Sequence, residues 1–327
     1  YYDKYTRDQI VESELSYLSN YQRVIINSGK ISNKGWEISV SGVPVKVKNF
    51  EWKTIFNWSK NNSMVESLPE GIDKIQIGSG VYNVKSYAEV GKPYGAIYAK
   101  TFKRDAEGYI LCQLDGSPKE GQDYEYLGCV QADWRGGWNN VFRLGNFSFS
   151  VMFDFQKGGK FFSQTSIQSS VDGQSVKSLE GRDADFFSRK ILGESDEERY
   201  GFMRPQNANT PTANGQIYPD WGRPKGVVLP NCRYDEDVEG LAGQQVLGYC
   251  TPERYWMHYT SRDISRFIYD ASYVKLREIT VSYDLPKKWL RKTPFQTFRV
   301  AAVGRNIATL FANTPHGLDP QATSTTG

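Results

Sequence analysis

The chain has 327 residues, and 40 Lys and Arg against 37 Asp and Glu give a formal net charge of only +3. Charges so nearly balanced exclude the electrostatic footprint of a nucleic-acid-binding protein. No segment approaches the roughly 18 consecutive apolar residues of a membrane helix, whereas 14% aromatic residues and 30 glycines suit a β-rich wall with many turns.

The first third of the chain predicts three strands. Residues 1–10 are rich in tyrosine and become polar toward their end, and residues 11–28 are expected to form an outer loop. Strands are predicted near 33–44 and 50–61, separated by a short turn, because apolar and polar residues alternate in both. The apolar faces carry Trp36, Ile38, Val40, Phe50, Trp52, Phe56 and Trp58.

The strongest strand signal lies in the middle of the chain, in NFSFSVMFDFQ (146–156). Phe147, Phe149, Val151, Phe153 and Phe155 share one face, and the opposite face is mostly polar. A soluble sandwich core usually mixes aliphatic residues with a few rings. Aromatic faces repeated over several strands favour a wall between lipid and water instead.

Two long excursions flank this region. Residues 63–138 show no sustained periodicity, and residues 160–265 are longer still, so both are predicted to be outer loops. The spacing of Phe186, Phe187, Ile191 and Leu192 predicts one short surface helix within 183–202. A short strand is predicted at 139–143, leading through a tight turn into the strand at 147–156.

The last two strands are predicted near 269–285 and 295–306. In the first of these strands, the apolar residues Ile279, Val281 and Tyr283 occupy the outward-facing positions. The alternation is irregular before them, so Lys275 and Arg277 fall on the same outward parity. A cation on the lipid face at mid-membrane costs about 2–4 kcal/mol, which predicts a β-bulge or a rise above the membrane here. The connection Pro286–Pro294 is basic and short, as in a periplasmic turn.

The fold class predicted from these patterns is all-β, an antiparallel transmembrane β-barrel segment with long extracellular loops. An open segment leaves two unpaired edges. Two alternatives stay open from the residues alone. One is a soluble extracellular β-rich module that binds glycan, with the aromatic faces forming a sandwich core. The other is a secreted glycan-cleaving enzyme, which needs two carboxylates roughly 5–10 Å apart.

Five segments together resemble one family. They are NKGWEI (33–38), GKPYGAIYA (91–99), DWRGGWNN (133–140), DASYVKLREITVSYDLP (270–286) and GRNIATLFANTPHGLDP (304–320). Their order and spacing are similar to those in the C-terminal barrel portion of SusC/RagA-type TonB-dependent outer-membrane transporters. One departure is CVQA (129–132), where the family more often has Gly-Asn-Pro before the Asp-Trp pair.

The resemblance implies a barrel of about 22 strands around an N-terminal plug, with the plug and the last strands absent from residues 1–327. It also implies location in the outer membrane of a Gram-negative bacterium, energy supplied through TonB by the absent N-terminal part, and a SusD-like surface lipoprotein as partner. The expected function is nutrient import of oligosaccharides or peptides, without catalysis by this chain and without nucleic acid as a partner.

The four cysteines form no CxxC pair. Cys112 and Cys129 lie in one predicted loop, and Cys232 and Cys250 lie in the other. If these loops face an oxidising exterior, two local disulfides, Cys112–Cys129 and Cys232–Cys250, are predicted. The alternative is four buried thiols.

Catalytic and metal-binding chemistry has weak support. His258 and His316 lie in loops without partners at the spacing of a triad or a ligand set, so no catalytic residue and no cofactor is expected. Calcium is the one metal considered, through Asp235, Glu236 and Asp237 with Asp185 or Asp220. The alternative for these residues is solvated loop acids.

Aromatic residues in the outer segments are the candidate substrate contacts. Rings in polar loops do not serve the lipid face, and they are able to stack on sugar rings while neighbouring amides and acids bind hydroxyl groups. The candidates are Trp134, Tyr218, Trp221, Tyr255 and Trp256. The alternative is that these rings pack the loops together or against the lid protein.

Overall fold

The structure is a computed structural model of the protein. It describes residues 1–14, 23–79, 81–179, 227–250, 255–315 and 318–321. The strands are β1 (Tyr2–Glu14), β2 (Arg23–Val47), β3 (Phe50–Ser67), β4 (Lys74–Ser79), β5 (Lys85–Glu89), β6 (Ala96–Phe102), β7 (Ile110–Cys112), β8 (Glu120–Cys129), β9 (Trp134–Leu144), β10 (Phe147–Lys157), β11 (Lys160–Phe162), β12 (Val227–Tyr234), β13 (Gln245–Cys250), β14 (Ile268–Asp270), β15 (Tyr273–Asp284) and β16 (Arg299–Ala312). The α-helices are α1 (Gln164–Val171) and α2 (Lys287–Leu290). No helix in the described ranges is long and apolar enough to cross a membrane.

The main sheet has seven strands in the order β1-β2-β3-β9-β10-β15-β16, and every neighbouring pair is antiparallel. Tight turns join β2 to β3 and β9 to β10 at one end of the sheet. The chain leaves the sheet for its two long insertions, 68–133 and 158–272, at the other end. Because outer-membrane barrels have short periplasmic turns and long outer loops, the end with the tight turns is the periplasmic end.

The outward face of this wall is built from rows of side chains that run across the strands. One row nearer the periplasmic end contains Val45, Trp52, Phe142, Phe149, Val281 and Ala302. A second row nearer the outer end contains Val40, Phe56, Trp138, Phe153, Leu276 and Ala308. Four residues separate them along each regular strand, about 13 Å, so two aromatic bands lie within an apolar zone about 25 Å tall.

The row between these bands has no aromatic residue and combines small, polar and aliphatic ones. It contains Gly42, Thr54, Asn140, Val151, Ile279 and Gly304. The Trp52 indole N–H donates to Asn140 Oδ1 at 3.0 Å, and the Trp138 indole N–H donates to Thr54 Oγ1 at 2.9 Å. Polar groups are costly in hydrocarbon unless they are hydrogen-bonded. The two tryptophans therefore satisfy the polar pair and cover it at the middle of the wall.

A β-bulge in β15 removes the charge from the lipid face. Met152 pairs with Glu278 but the next residue, Phe153, pairs with Leu276, so Arg277 is an extra residue between them. Beyond the bulge, Leu276 and Val274 join the outward rows, and Lys275 pairs with Asp154 on the inward face. The slip in alternation is thus a bulge, one of the two predicted outcomes.

The two long insertions fold into one outer unit. The first forms the four-stranded sheet β4-β5-β6-β8 and also contributes β7 to the three-stranded sheet β13-β12-β7, whose other two strands belong to the second insertion. A shared core joins them, with Phe102, Ile110 and Cys112 from the first and Tyr234, Tyr255 and Trp256 from the second. Helix α1 packs Ile167 against Ile97 and Ile264 in a second core.

The predicted element limits need correction. The outer loop 11–28 is too long, since β1 continues to Glu14 and β2 begins at Arg23. The segment 63–138 is not one loop, because β3 ends at Ser67, five strands lie within it, and β9 begins at Trp134 rather than at 139. The segment 160–265 also contains strands and helix α1, which begins after the Ser163 N-cap and was not predicted. The helix predicted within 183–202 lies outside the described residues.

Candidate functional site

A groove of 590 Å³ lies on the inward face of the wall near its outer end. Its polar lining comes from two neighbouring rows of the sheet. The first row is Glu37, Ser59 and Arg135, and the second is Ser39, Asn57, Gly137 and Asp154. These residues point inward because each is adjacent in sequence to a residue on the outward face of its strand. We call this set the lumen groove.

Charge in the lumen groove is separated across its width. Glu37 on β2 and Arg135 on β9 are the ends of one row, with Ser59 on β3 between them. Two strand spacings place their backbones roughly 10 Å apart. In the next row, Ser39 Oγ donates to Asn57 Oδ1 at 2.7 Å. The groove thus presents an anion, a cation and neutral hydrogen-bonding groups between them.

Two glycines shape the wall beside the groove. Gly136 faces outward, and a Cβ there would lie 2.9 Å from the Phe155 ring and 3.1 Å from the Asn57 carbonyl oxygen. The ring therefore packs directly on the backbone. Gly137 faces the groove, and the nearest atom to a Cβ there would be 3.7 Å away. In the DWRGGWNN segment, Gly136 thus allows close packing on the outward face, and Gly137 leaves open space on the inward face.

A network of polar side chains continues the lumen groove toward β16. Arg277, the bulged residue, forms an ion pair with Asp154, and Tyr273 Oη donates to the same carboxylate at 3.2 Å. Arg277 also donates to Asn306 Oδ1 at 2.8 Å and to Gln321 Oε1 at 2.7 Å. Lys275 binds Asp319. The bulge therefore supplies an inward-facing cation, Arg277, that contacts β10, β16 and the segment containing Gln321. In the sequence, the only sign of this network was the irregular alternation in β15.

A cluster of charges joins the two insertions of the outer unit. Asp235 accepts from Lys103 at 2.9 Å and from Lys119 at 2.8 Å, and Lys119 also contacts Asp237. Burial alone would raise the pKa of Asp235, but the hydrogen bonds from Lys119 and Lys103 outweigh it and hold the pKa at about 2. Arg233 reinforces the junction by pairing with Asp105 at 2.9 Å.

These contacts bear on the predicted calcium site. The carboxylate of Asp235 is already committed to two lysines. Among the described residues no group of three or more His, Cys, Asp or Glu is placed to hold a metal ion. Asp185 and Asp220 lie outside those residues. For Asp235 and Asp237 the structure thus shows ion pairs between insertions.

The predicted aromatic contacts separate into three groups. Tyr255 and Trp256 are each only 1% exposed, and their rings meet edge to face at 5.1 Å within the shared core of the outer unit. They cannot stack on a ligand, because both rings are covered by other residues of the shared core. Trp134 is half-buried and lines a 220 Å³ pocket beside Arg135, adjoining the lumen groove. Tyr218 and Trp221 lie outside the described residues.

The predicted disulfides do not form. Cys129 is a free thiol, and the Gln131 backbone N–H donates to its sulfur at 3.4 Å. Cys232 pairs with Val246 across the β12–β13 ladder, whereas Cys250 pairs with Val227. Four residues along β13 are about 13 Å, and a disulfide needs Cα atoms about 4.4–6.8 Å apart. The sequence spacing alone could not reveal this register.

Comparisons with known proteins give a consistent result. No family model matches the chain. TonB-dependent receptor P3 of Formosa agariphila is 24% identical over 98% of the chain, and TonB-dependent receptor P26 of the same organism is 26% identical over 50%. The chain spans 28% of the length of receptor P3.

Solved structures share the fold. The RagAB peptide importer in its closed-closed state superposes with a TM-score of 0.59 at 15% identity, covering 98% of this chain and 30% of that chain. The RagAB peptide transporter gives 0.55 at 16% identity, covering 97% and 30%. These similarities extend along nearly all of the wall and its insertions. The chain is similar to a wall segment of TonB-dependent receptors over nearly all of its length, and we call it the receptor segment, or the receptor for short.

The predicted resemblance to SusC/RagA-type TonB-dependent proteins and the predicted antiparallel barrel segment are thereby confirmed. The receptor belongs to the outer membrane of a Gram-negative bacterium, which sets aside the alternative of a soluble glycan-binding module. The relatives are receptors and transporters by name, which agrees with the prediction that the chain is not an enzyme.

Proposed function

We propose that the receptor imports oligosaccharides or peptides across the outer membrane, driven through TonB and with a SusD-like surface lipoprotein as its lid. The observation that carries this proposal is the two-faced wall, aromatic outside and hydrogen-bonding inside, in a chain similar to TonB-dependent receptors over 98% of its length. A polar interior suits solutes that carry many hydrogen-bonding groups.

The lumen groove is the part of this wall best suited to contact the solute or the plug that carries it inward. Ser39, Asn57 and Ser59 offer hydroxyl and amide groups of the kind that bind sugar hydroxyls. Glu37 and Arg135 are spaced for an extended ligand with a cation at one end and an anion at the other, as in a short peptide. The name of the RagAB peptide importer supports the peptide class by analogy of fold alone.

Growth tests distinguish the two substrate classes. A strain lacking the receptor gene is grown on single oligosaccharides and on peptides as sole nutrients, then complemented with the wild type or with Glu37→Gln/Arg135→Gln. The proposal predicts that deletion abolishes growth on one class and that complementation restores it. If peptides are the substrates, the double variant should lower their uptake affinity at least about tenfold, because it removes two charge-assisted contacts.

A matched control is Glu51→Gln/Arg143→Gln, which removes one acid and one base from the inward face outside the lumen groove. Uptake by this control should stay near wild type. Normal growth of the deletion strain on every oligosaccharide and peptide tested would overturn import. Equal loss in both double variants would overturn the role of the groove while leaving import intact.

A further inference from the structure

The connection between β15 and β16 is a hydrogen-bonded turn at the periplasmic end of the wall. Helix α2 begins after Pro286, and the Trp289 N–H donates to the Pro286 carbonyl at 2.9 Å. The Thr293 N–H and hydroxyl both bind the Leu290 carbonyl, at 2.9 and 2.8 Å. Leu290 is the buried apolar residue of this turn. We call residues 286–298 the basic turn.

Four exposed cations are concentrated in the basic turn. They are Lys287, Lys288, Arg291 and Lys292. No acidic residue lies anywhere in the turn, and the nearest one before it, Asp284, is already paired with Arg299 at 2.6 Å. Lys287, Lys288 and Arg291 share one side of the helical turn because of their i, i+1 and i+4 spacing. Like charges this close repel one another, and an anion bound among them would remove that cost.

Exposed aromatic residues border the same cations. Trp289, Phe295 and Phe298 are 60%, 56% and 43% exposed. The rings of Phe295 and Phe298 meet edge to face at 6.0 Å. Phe298 has the outward parity of Val300, which pairs with Tyr283 in the lipid-facing wall. The aromatic side of the turn therefore continues the lipid-facing surface, while the cations lie at its periplasmic margin.

Aromatic rings beside cations at the end of a membrane-spanning surface match the level of lipid headgroups. Clusters of Lys and Arg next to the bilayer attract anionic lipids. From the charge complementarity and the continuity with the lipid-facing wall, we propose that the basic turn binds the phosphate headgroup of an anionic phospholipid in the periplasmic leaflet. This surface is independent of what the receptor imports.

Lipid binding to the purified full receptor tests the proposal by native mass spectrometry. The probes are phosphatidylglycerol and phosphatidylethanolamine, each titrated into the detergent-solubilised wild type and into Lys287→Gln/Lys288→Gln/Arg291→Gln/Lys292→Gln. We expect the wild type to prefer phosphatidylglycerol. The quadruple variant should bind it at least about tenfold more weakly, and rising salt should weaken the wild-type preference.

The matched control is Lys74→Gln/Lys85→Gln/Lys157→Gln/Lys177→Gln, which removes the same charge from the opposite end of the molecule. It should keep the wild-type preference. A brominated phosphatidylglycerol should quench wild-type fluorescence more than Trp289→Phe fluorescence, which tests the position without removing charge. Equal binding of the two lipids by the wild type, or equal loss in both quadruple variants, would overturn the proposal. So would capture of an acidic periplasmic protein by the turn without any lipid preference.

Discussion

Gly136 and Gly137 are neighbours in the chain that face opposite sides of the wall, and they make different demands on it. The Phe155 ring occupies the space where a side chain at Gly136 would lie, whereas the space above Gly137 opens into the lumen groove. A glycine at a strand interior often marks such a close approach. Nothing in the dipeptide itself distinguishes the two roles, since the contact between Gly136 and Phe155 depends on the register of β9 against β10.

Gly136→Ala should destabilise the receptor by about 1–3 kcal/mol, because the added methyl group forces the Phe155 ring or the Asn57 carbonyl to move. Gly137→Ala is the matched control and should change stability by less than about 0.5 kcal/mol. The measurement is the denaturant dependence of unfolding in lipid vesicles. Equal values for the two variants would contradict the register of β9 against β10.

Depth in the membrane should control the cost of a charge on the β10 outward face. Val151 lies in the middle row, and Val151→Arg should cost about 2–4 kcal/mol, while Phe147→Arg near the periplasmic margin should cost about 0–1 kcal/mol. Phe149→Arg should fall between them. Ser150→Arg, which points inward, is the control and should cost less than Val151→Arg. The same vesicle unfolding assay checks this series, and a flat profile across the three outward sites would contradict the assignment of the lipid face.

At the scale of elements, the outer unit depends on charges that join its two insertions. Asp235 on the second insertion is held by Lys103 and Lys119 on the first, and the carboxylate side chain is 4% exposed. The sequence predicted acids in a loop but could not predict this pairing, because the partners are more than a hundred residues apart. Only the folded arrangement of β7 beside β12 brings them together.

Asp235→Asn should weaken the junction by about 1–3 kcal/mol, since it removes the buried carboxylate that Lys103 and Lys119 share. The pKa of Asp235 lies at about 2, below the ordinary value of 3.8. Its contribution is therefore fully present above pH 3.8 and is lost as the pH falls through about 2. Hydrogen exchange of β7 and β12 at pH 6 and at pH 2 checks both statements.

Glu107→Gln is a suitable control for that experiment, because Glu107 is also paired with a cation of the second insertion, Arg233, but is mostly exposed. It should change exchange little. If Asp235→Asn left exchange unchanged at pH 6, the junction would not depend on this carboxylate.

At the scale of the whole molecule, the wall and the outer unit are stabilised by different means. The wall follows from alternation in single strands, so the sequence indicated seven strands with two faces. The strands β1, β2 and β9 nevertheless extend beyond their predicted limits. The insertions lack such a pattern. Their short strands are buried on one or both sides by distant parts of the chain, and the rings of Tyr255 and Trp256 looked like loop residues because their core partners come from β6, β7 and β12.

Trp256→Ala should therefore separate the two parts. We expect a loss of about 3–5 kcal/mol confined to the outer unit, seen as faster hydrogen exchange in β7, β12 and β13. The wall should keep its heat-dependent mobility on gels, which reports the folded barrel. Trp289→Ala, at an exposed ring, is the matched control and should leave exchange in the outer unit unchanged. Loss of the folded barrel with Trp256→Ala would contradict the independence of the two parts.

The bulge at Arg277 also has a genetic consequence. Removing one codon from a strand of a two-faced wall ordinarily turns every side chain beyond it to the wrong solvent. Removal of Arg277 should instead leave the pairing with β10 intact, because Arg277 has no partner on β10 and Phe153 pairs with Leu276. In-frame loss of codon 277 should preserve the lipid face of β15, whereas loss of codon 280 should invert half of the strand. Length variation among natural relatives is accordingly expected to be tolerated at this single position of β15.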